Sequence, residues 1–188
     1  QDGSVGYYQT VNKTTPVAGD VKYVDRNGDG VVDDNDRDII GNPNPDFTYG
    51  FQTKVSWKSL SLSASFNGVQ GRDILNVGNR YNNTPGTKSN NVTRKAFQNM
   101  WTDENPSNLY PKSTFVVQNM VMDRYVEDGS YLRCSDITLS YVLPAKWTNK
   151  IGIKNTSVYA SVKNAFVITD YSGYDPEVNS FAFDGLRP

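Results

Sequence analysis

The chain has 188 residues, 37% hydrophobic and 21% charged, with 19 basic and 20 acidic side chains and a formal charge of −1. That balance offers no polycationic surface for nucleic acid, and the absence of histidine removes the commonest general base, the usual catalytic triads and most zinc sites. No run approaches the ~20 apolar residues of a transmembrane helix, but barrel strands put only every second residue into lipid and escape that criterion.

The first 46 residues are rich in Gly, Pro, Asp and Asn and read as a long loop. Within it, Asp25 to Asp36, "DRNGDGVVDDND", matches the calcium-loop pattern D-x-[DN]-x-[DN]-G over its first half. Asp25, Asn27 and Asp29 stand at positions 1, 3 and 5, and Gly30 at the sharp turn. The Val31 carbonyl stands at position 7, Asp33 at position 9 and Asp36 at position 12, where a Glu is usual. Ca²⁺ takes six to eight hard oxygens, and alternate residues of a tight loop converge on one point. Long flanking helices are missing, so the expected role is a structural ion that stiffens a loop. An acidic solvated turn is the plainer alternative.

Residues 47–70 predict a hairpin. In "FTYGFQTKVSWK", Phe47, Tyr49, Phe51, Val55 and Trp57 share one face and polar residues the other. After a turn at Lys58-Ser59, Leu60, Leu62, Ala64 and Phe66 alternate with Ser61, Ser63, Ser65 and Asn67. Residues 71–130 form a second long loop, with one short helix expected near 92–101, capped by Thr93. Residues 131–169 predict a second hairpin. There Ile137, Leu139 and Tyr141 oppose Asp136, Thr138 and Ser140, and Pro144 stops the ladder. In the returning strand Val158, Ala160, Val162, Phe166 and Ile168 align, with Asn164 interrupting the row. The single cysteine, Cys134, reads as a half-buried strand residue. Residues 171–188 are a third loop, and both ends of the chain read as cuts in loops.

Short connections thus fall on one side of the strands and long ones on the other. That asymmetry marks an outer-membrane barrel, with short periplasmic turns and long extracellular loops. A soluble sandwich shares the alternation. The barrel reading turns Phe47, Tyr49, Phe51, Val55, Trp57, Leu60, Leu62, Phe66, Ile137, Leu139 and Tyr141 towards lipid. It also places Phe47, Tyr49, Trp57, Tyr131 and Tyr141 near strand ends as an interfacial girdle. Tyr81, Trp101, Tyr110, Tyr171 and Tyr174 are loop aromatics able to stack on a ligand or to pack within the loops. The acidic pairs Asp103-Glu104, Glu127-Asp128 and Asp175-Glu177 imitate a glycosidase dyad, but lack any supporting motif and read as solvated surface. An enzyme is not expected.

Four strings carry a family resemblance. "GDVKYVDRNGDGVVDDNDRDIIGNPNPDFTYGF" (Gly19–Phe51), "MWTDENPSN" (Met100–Asn108), "DRYVEDGSYLRCSDITLSYVLP" (Asp123–Pro144) and "VKNAFVITDYSGYDPEVN" (Val162–Asn179) resemble, in order, the C-terminal part of SusC/RagA-type TonB-dependent transporters. The resemblance implies an all-β fold of antiparallel hairpins, about four strands of a larger 22-stranded transmembrane barrel with long extracellular loops and a plug elsewhere. It implies import of oligosaccharides or peptides across the Gram-negative outer membrane, driven through TonB, with a SusD-like surface lipoprotein as lid. The reading from another class is a soluble, secreted, calcium-dependent β-sandwich binding module, possibly for carbohydrate.

Overall fold

The computed structural model describes residues 17–21, 23–83, 91–113, 121–153 and 155–177. Its strands are β1 (Phe47–Trp57), β2 (Leu60–Gln70), β3 (Asp73–Leu75), β4 (Val126–Asp128), β5 (Tyr131–Val142) and β6 (Ser157–Thr169). Its α-helices are α1 (Val77–Asn82), α2 (Arg94–Asn99) and α3 (Ala145–Thr148). The chain divides into two compact units, residues 1–40, 75–126 and 180–188 in one and residues 41–74 and 127–179 in the other.

The second unit is built on a four-stranded antiparallel sheet in the order β1-β2-β5-β6. Its strands of 11, 11, 12 and 13 residues match or slightly exceed the ~9–11 that cross a bilayer obliquely. The β1–β2 connection is two residues long, with Lys58 in the left-handed region at φ 53°. Trp57, Leu60, Tyr141 and Val158 are register neighbours at that end. The β5–β6 connection closes there too, through α3, a single 3₁₀ turn (Asn149–Ile151) and Gly152 at φ 73°. Segment 71–130 leaves from the opposite end.

Register decides which side chains share a face. Phe51 lies opposite Phe66, and Phe66 opposite Cys134, which faces Phe166. The Phe51 and Phe66 rings stack at 4.6 Å and 16°, and Phe166 lies 6.4 Å from Phe66. Such a pair adds about 0.5–1.5 kcal/mol beyond its area. Val55-Leu62-Leu139-Ala160 and Ala64-Ile137-Val162 continue this apolar row across the sheet. All the residues expected to share the apolar face do so by register. Phe51, Val55, Trp57 and Leu62 are exposed on it, and no strand among the described residues pairs with the outer edge of β1 or β6.

One expectation needs correction. Ser65 pairs with Asp136 but Phe66 with Cys134, so Ser135 is an extra residue, a β-bulge. On the other side Cys134 pairs with Phe166 and Asp136 with Lys163, where Asn164 takes φ 50°. A bulge shifts parity by one. Leu132 and Cys134 therefore join the apolar face, and Tyr131 and Arg133 turn to the polar one. Tyr131 belongs to no lipid-side girdle; it is 8% exposed and packs among polar groups. Cys134 is fully buried rather than half-buried.

The first unit has a small core of Val32, Leu75, Ala96 and Tyr125. Helix α2 is capped by Thr93, whose hydroxyl accepts from the Ala96 amide at 3.1 Å. It is shorter than the expected 92–101, because Met100 turns extended to bridge Tyr110 and the Trp101 amide bonds the Tyr110 carbonyl at 3.0 Å.

Candidate functional site

Three arrangements carry chemistry. The first is the acidic loop. Gly28 and Gly30 both sit at positive φ, 76° and 84°, which only glycine adopts without strain. The Asp25 carboxylate accepts from the amides of Gly28 (2.7 Å) and Gly30 (2.8 Å). Asp29 accepts from the Val31 amide at 2.8 Å, and its own amide donates to Asn27 Oδ1. Asp36 closes the loop, taking the amides of Asp33 (2.7 Å) and Arg26 (2.8 Å). The Asp33 amide chiefly holds the Asp36 carboxyl below its ordinary value of 3.8; desolvation opposes it, and the Arg26 and Asn27 amides add smaller lowering effects. Among the described residues, no three carboxylates converge as a metal-binding group.

The second is an open pocket of about 220 Å³ in the same unit. Asn79 from α1, Asn83 just after it, Lys95 from α2, Leu109, Tyr110, and the Arg124-Tyr125 pair line it. The Arg124 guanidinium lies over the rings of Tyr110 (5.8 Å) and Tyr125 (5.4 Å), and its Nη2 donates to the Leu109 carbonyl at 2.6 Å. Trp101 packs elsewhere. Its ring covers Gly19, where a Cβ would come within 2.5 Å of Cε3.

The third lies on the polar face of the four-stranded sheet. Arg133, 8% exposed, donates from Nη2 to Asp175 Oδ1 at 2.7 Å. Its Nε lies 3.3 Å from Glu177 Oε2 without the alignment of a hydrogen bond, so that contact is Coulombic. The other oxygen of Glu177 accepts from Tyr131 Oη at 2.6 Å and Asn67 Nδ2 at 3.1 Å. Arg72 donates to the carbonyl of Pro176, and Pro176 is fully buried. Segment 171–177 is thereby strapped onto the sheet.

The expected loop aromatics scatter over different environments. Tyr110 lines the pocket, Trp101 packs on Gly19, and Tyr171 is buried with its ring against Gly173. Tyr174 is fully exposed. Tyr81 lies in α1, and its side chain falls outside the described atoms. Two of the three acidic pairs are not merely solvated, while Asp103-Glu104 is exposed as expected. Asp175 and Glu177 hold Arg133, and Glu127 takes the amide and hydroxyl of Ser172 at 2.8 and 2.9 Å. The sequence reading missed Arg133, Asn67, Lys95 and Arg124. A lone Arg inside an alternating strand, with two acids downstream, was the available signal for the first.

Comparison with known proteins fits this geometry. No protein-family model matches the chain. It is 34% identical over 175 residues to the TonB-dependent receptor P26 of Formosa agariphila, covering 90% of the chain and 17% of that protein. It is likewise 34% identical over 165 residues to the TonB-dependent receptor SusC of Bacteroides thetaiotaomicron, covering 84% of the chain and 15% of that protein. Among solved structures, the RagAB peptide transporter superposes with a TM-score of 0.63 at 29% identity, covering 73% of the chain and 15% of its counterpart. The RagAB peptide importer in the open-open state superposes at 0.61 with 26% identity, covering 92% of the chain and 17% of its counterpart. The chain thus spans about a sixth of the relatives it matches.

Proposed function

We propose that this chain, related in sequence and fold to TonB-dependent receptors of the SusC and RagA kind, forms barrel wall and extracellular loops of an outer-membrane importer of large nutrients. The match of most of the chain to the RagAB structures carries the reading. The apolar row with open edges on either side supports it, because such edges call for further strands. In this reading the apolar face meets lipid, and segments 1–46, 71–130 and 171–188 lie outside the cell. A SusD-like surface lipoprotein covers them, and TonB supplies energy through another part of the protein. The cargo is an oligosaccharide or a peptide, in a role that asks for no catalysis. The test uses cells deleted for the complete gene. They should lose uptake of at least one fluorescently labelled oligosaccharide or peptide pool and regain it on complementation. Unchanged uptake of every pool would sink the proposal.

We further propose that loop 25–36 holds a structural Ca²⁺ through Asp25, Asn27, Asp29, the Val31 carbonyl, Asp33 and Asp36. The left-handed glycines and alternating oxygens fit the ion. Amide bonds already accepted by Asp25 and Asp36 do not exhaust carboxylates with about four lone-pair sites each. Calorimetric titration of the full-length receptor should show binding at or below millimolar Ca²⁺, weakened at least about tenfold by Asp25→Asn. A carboxylate with a depressed pKa stabilises the folded loop above its unfolded value and loses that stabilisation as pH falls through the folded one. Asp36 should therefore keep its charge, and its hold on the loop, from pH 7 to 5 and lose it only below the ordinary value of 3.8. No binding at millimolar Ca²⁺ would retire the site.

A further inference from the structure

The short-turn end of the four-stranded sheet carries an inference about lipid that rests on the barrel-wall reading. No acidic residue occurs between Phe47 and Arg72, nor between Ile137 and Thr169, so lysine is the only charged residue type in either short connection. Lys58 stands in the first, and Lys146 and Lys150 in the second. All three are exposed, and none forms an ion pair among the described residues. The acids of this unit gather at the opposite end. Asp46, Asp73, Asp128 and Asp170 flank the strand ends there, and Asp136 lies mid-strand on the polar face.

Two of the three tryptophans stand beside these lysines. Trp57 is 68% exposed and Trp147 63%, and Lys58 Nζ lies 4.6 Å from the centroid of the Trp57 ring. An indole has an apolar body and one polar edge, and settles where hydrocarbon gives way to headgroups. The order of groups along the sheet selects the partner. Leu60, Tyr141 and Val158 lie beside Trp57 in register, at the start of the apolar row. A partner must therefore present hydrocarbon along that row and negative charge just beyond Trp57. Free phosphate has the charge without the hydrocarbon. An acidic polypeptide would neutralise the lysines but leave the row bare. A zwitterionic lipid would cover the row and bring no net charge. An anionic phospholipid joins both in the required order, and clustered lysines beside a membrane segment attract such headgroups over about a Debye length.

We propose that this end of the sheet binds anionic phospholipid headgroups, with Lys58, Lys146 and Lys150 supplying the charge and Trp57 and Trp147 seated at headgroup level. In the import reading this is the periplasmic leaflet. The full-length receptor is reconstituted into phosphatidylcholine vesicles holding a minor share of either brominated phosphatidylglycerol or brominated phosphatidylcholine, bromine being a contact quencher of indole fluorescence. The signal of Trp147 is the difference between the parent and Trp147→Phe, and that of Trp57 the difference from Trp57→Phe. Brominated phosphatidylglycerol should quench Trp147 several-fold more effectively at equal content, and the advantage should shrink as salt rises. Combining Lys58→Gln, Lys146→Gln and Lys150→Gln should bring the two lipids to parity. The same three positions changed to Arg should keep most of the preference, since the charge stays.

Equal quenching of Trp147 by both lipids in the parent would overturn the proposal. So would a preference untouched by the triple Gln variant, or a Trp147 that neither lipid quenches. Trp57 keeps this outcome apart from the wall reading. If both brominated lipids quench Trp57 while Trp147 shows no preference, the wall stands and the headgroup site falls. If neither quenches Trp57, lipid does not meet the apolar face, and the wall reading falls together with the headgroup site.

Discussion

Replacing Arg133 by Gln in the full-length receptor should free segment 171–177 while leaving the sheet folded. Arg133 is the only cation that reaches both Asp175 and Glu177 among the described residues, and its rigid fork lies 5.8 Å from the Tyr131 ring. Breaking a buried ion pair from one side typically costs about 3–5 kcal/mol. Here the carboxylates keep 34% and 41% of their side-chain exposure, so water takes over part of the solvation and about 2 kcal/mol is the better expectation. The loss should be local, because Ser172 stays tied to Glu127 and the Pro176 carbonyl to Arg72. Hydrogen exchange should rise at the Glu177 amide, which donates to Asp175 Oδ1 at 2.8 Å, while β2 and β5 amides keep their protection. Arg72→Gln with Arg133→Gln should release the segment further than either alone. Unchanged exchange over 171–177 in the double variant would show that the buried Pro176 ring, not the arginines, holds the strap.

Arg133 also marks where sequence reasoning stopped. Alternation placed β1 and β2 almost to the residue, because neither strand carries an irregularity and each apolar residue sits two from the next. The same rule failed in β5. Counting back from Ile137 by twos lands on Ser135, Arg133 and Tyr131, and so puts an arginine on the apolar face. The bulge at Ser135 resolves the conflict by inserting one residue, but nothing in "RCSD" announces a bulge except the misplaced charge itself. Asp175 and Glu177 were illegible for a different reason. Their partners lie more than 40 residues away in sequence, and a long-range ion pair leaves no local pattern. The acidic loop was the opposite case. Its spacing placed Gly30 at the turn and the oxygens at alternate positions, because that geometry is entirely local; Gly28, also left-handed, was not singled out. The pocket stood between these extremes. Tyr110 was picked out as an aromatic, but the cations beside it, Lys95 and Arg124, come from segments 29 residues apart.

Ile137 separates a membrane wall from a sandwich core, because lipid and packed protein object to different substitutions. It lies mid-strand on the apolar face, between Ala64 and Val162. Ile137→Lys should destabilise the receptor by ~2–4 kcal/mol, the cost of a lysine near the bilayer midplane. Charge alone does not discriminate, since a sandwich core would reject it too. Size does. Lipid chains rearrange around a larger side chain, so Ile137→Phe should cost well under ~0.5 kcal/mol in a barrel wall. A close-packed inter-sheet core would charge ~1–3 kcal/mol for the same change. Ser65→Lys supplies the control at the same depth. It points to the polar face and pairs with Asp136, so it should be neutral or slightly stabilising. Folding titrations of the three full-length variants into phospholipid vesicles read all of these differences. A heavy penalty for Ile137→Phe comparable to that for Ile137→Lys would mean that protein, not lipid, covers this face, and the soluble calcium-dependent module would replace the transporter wall.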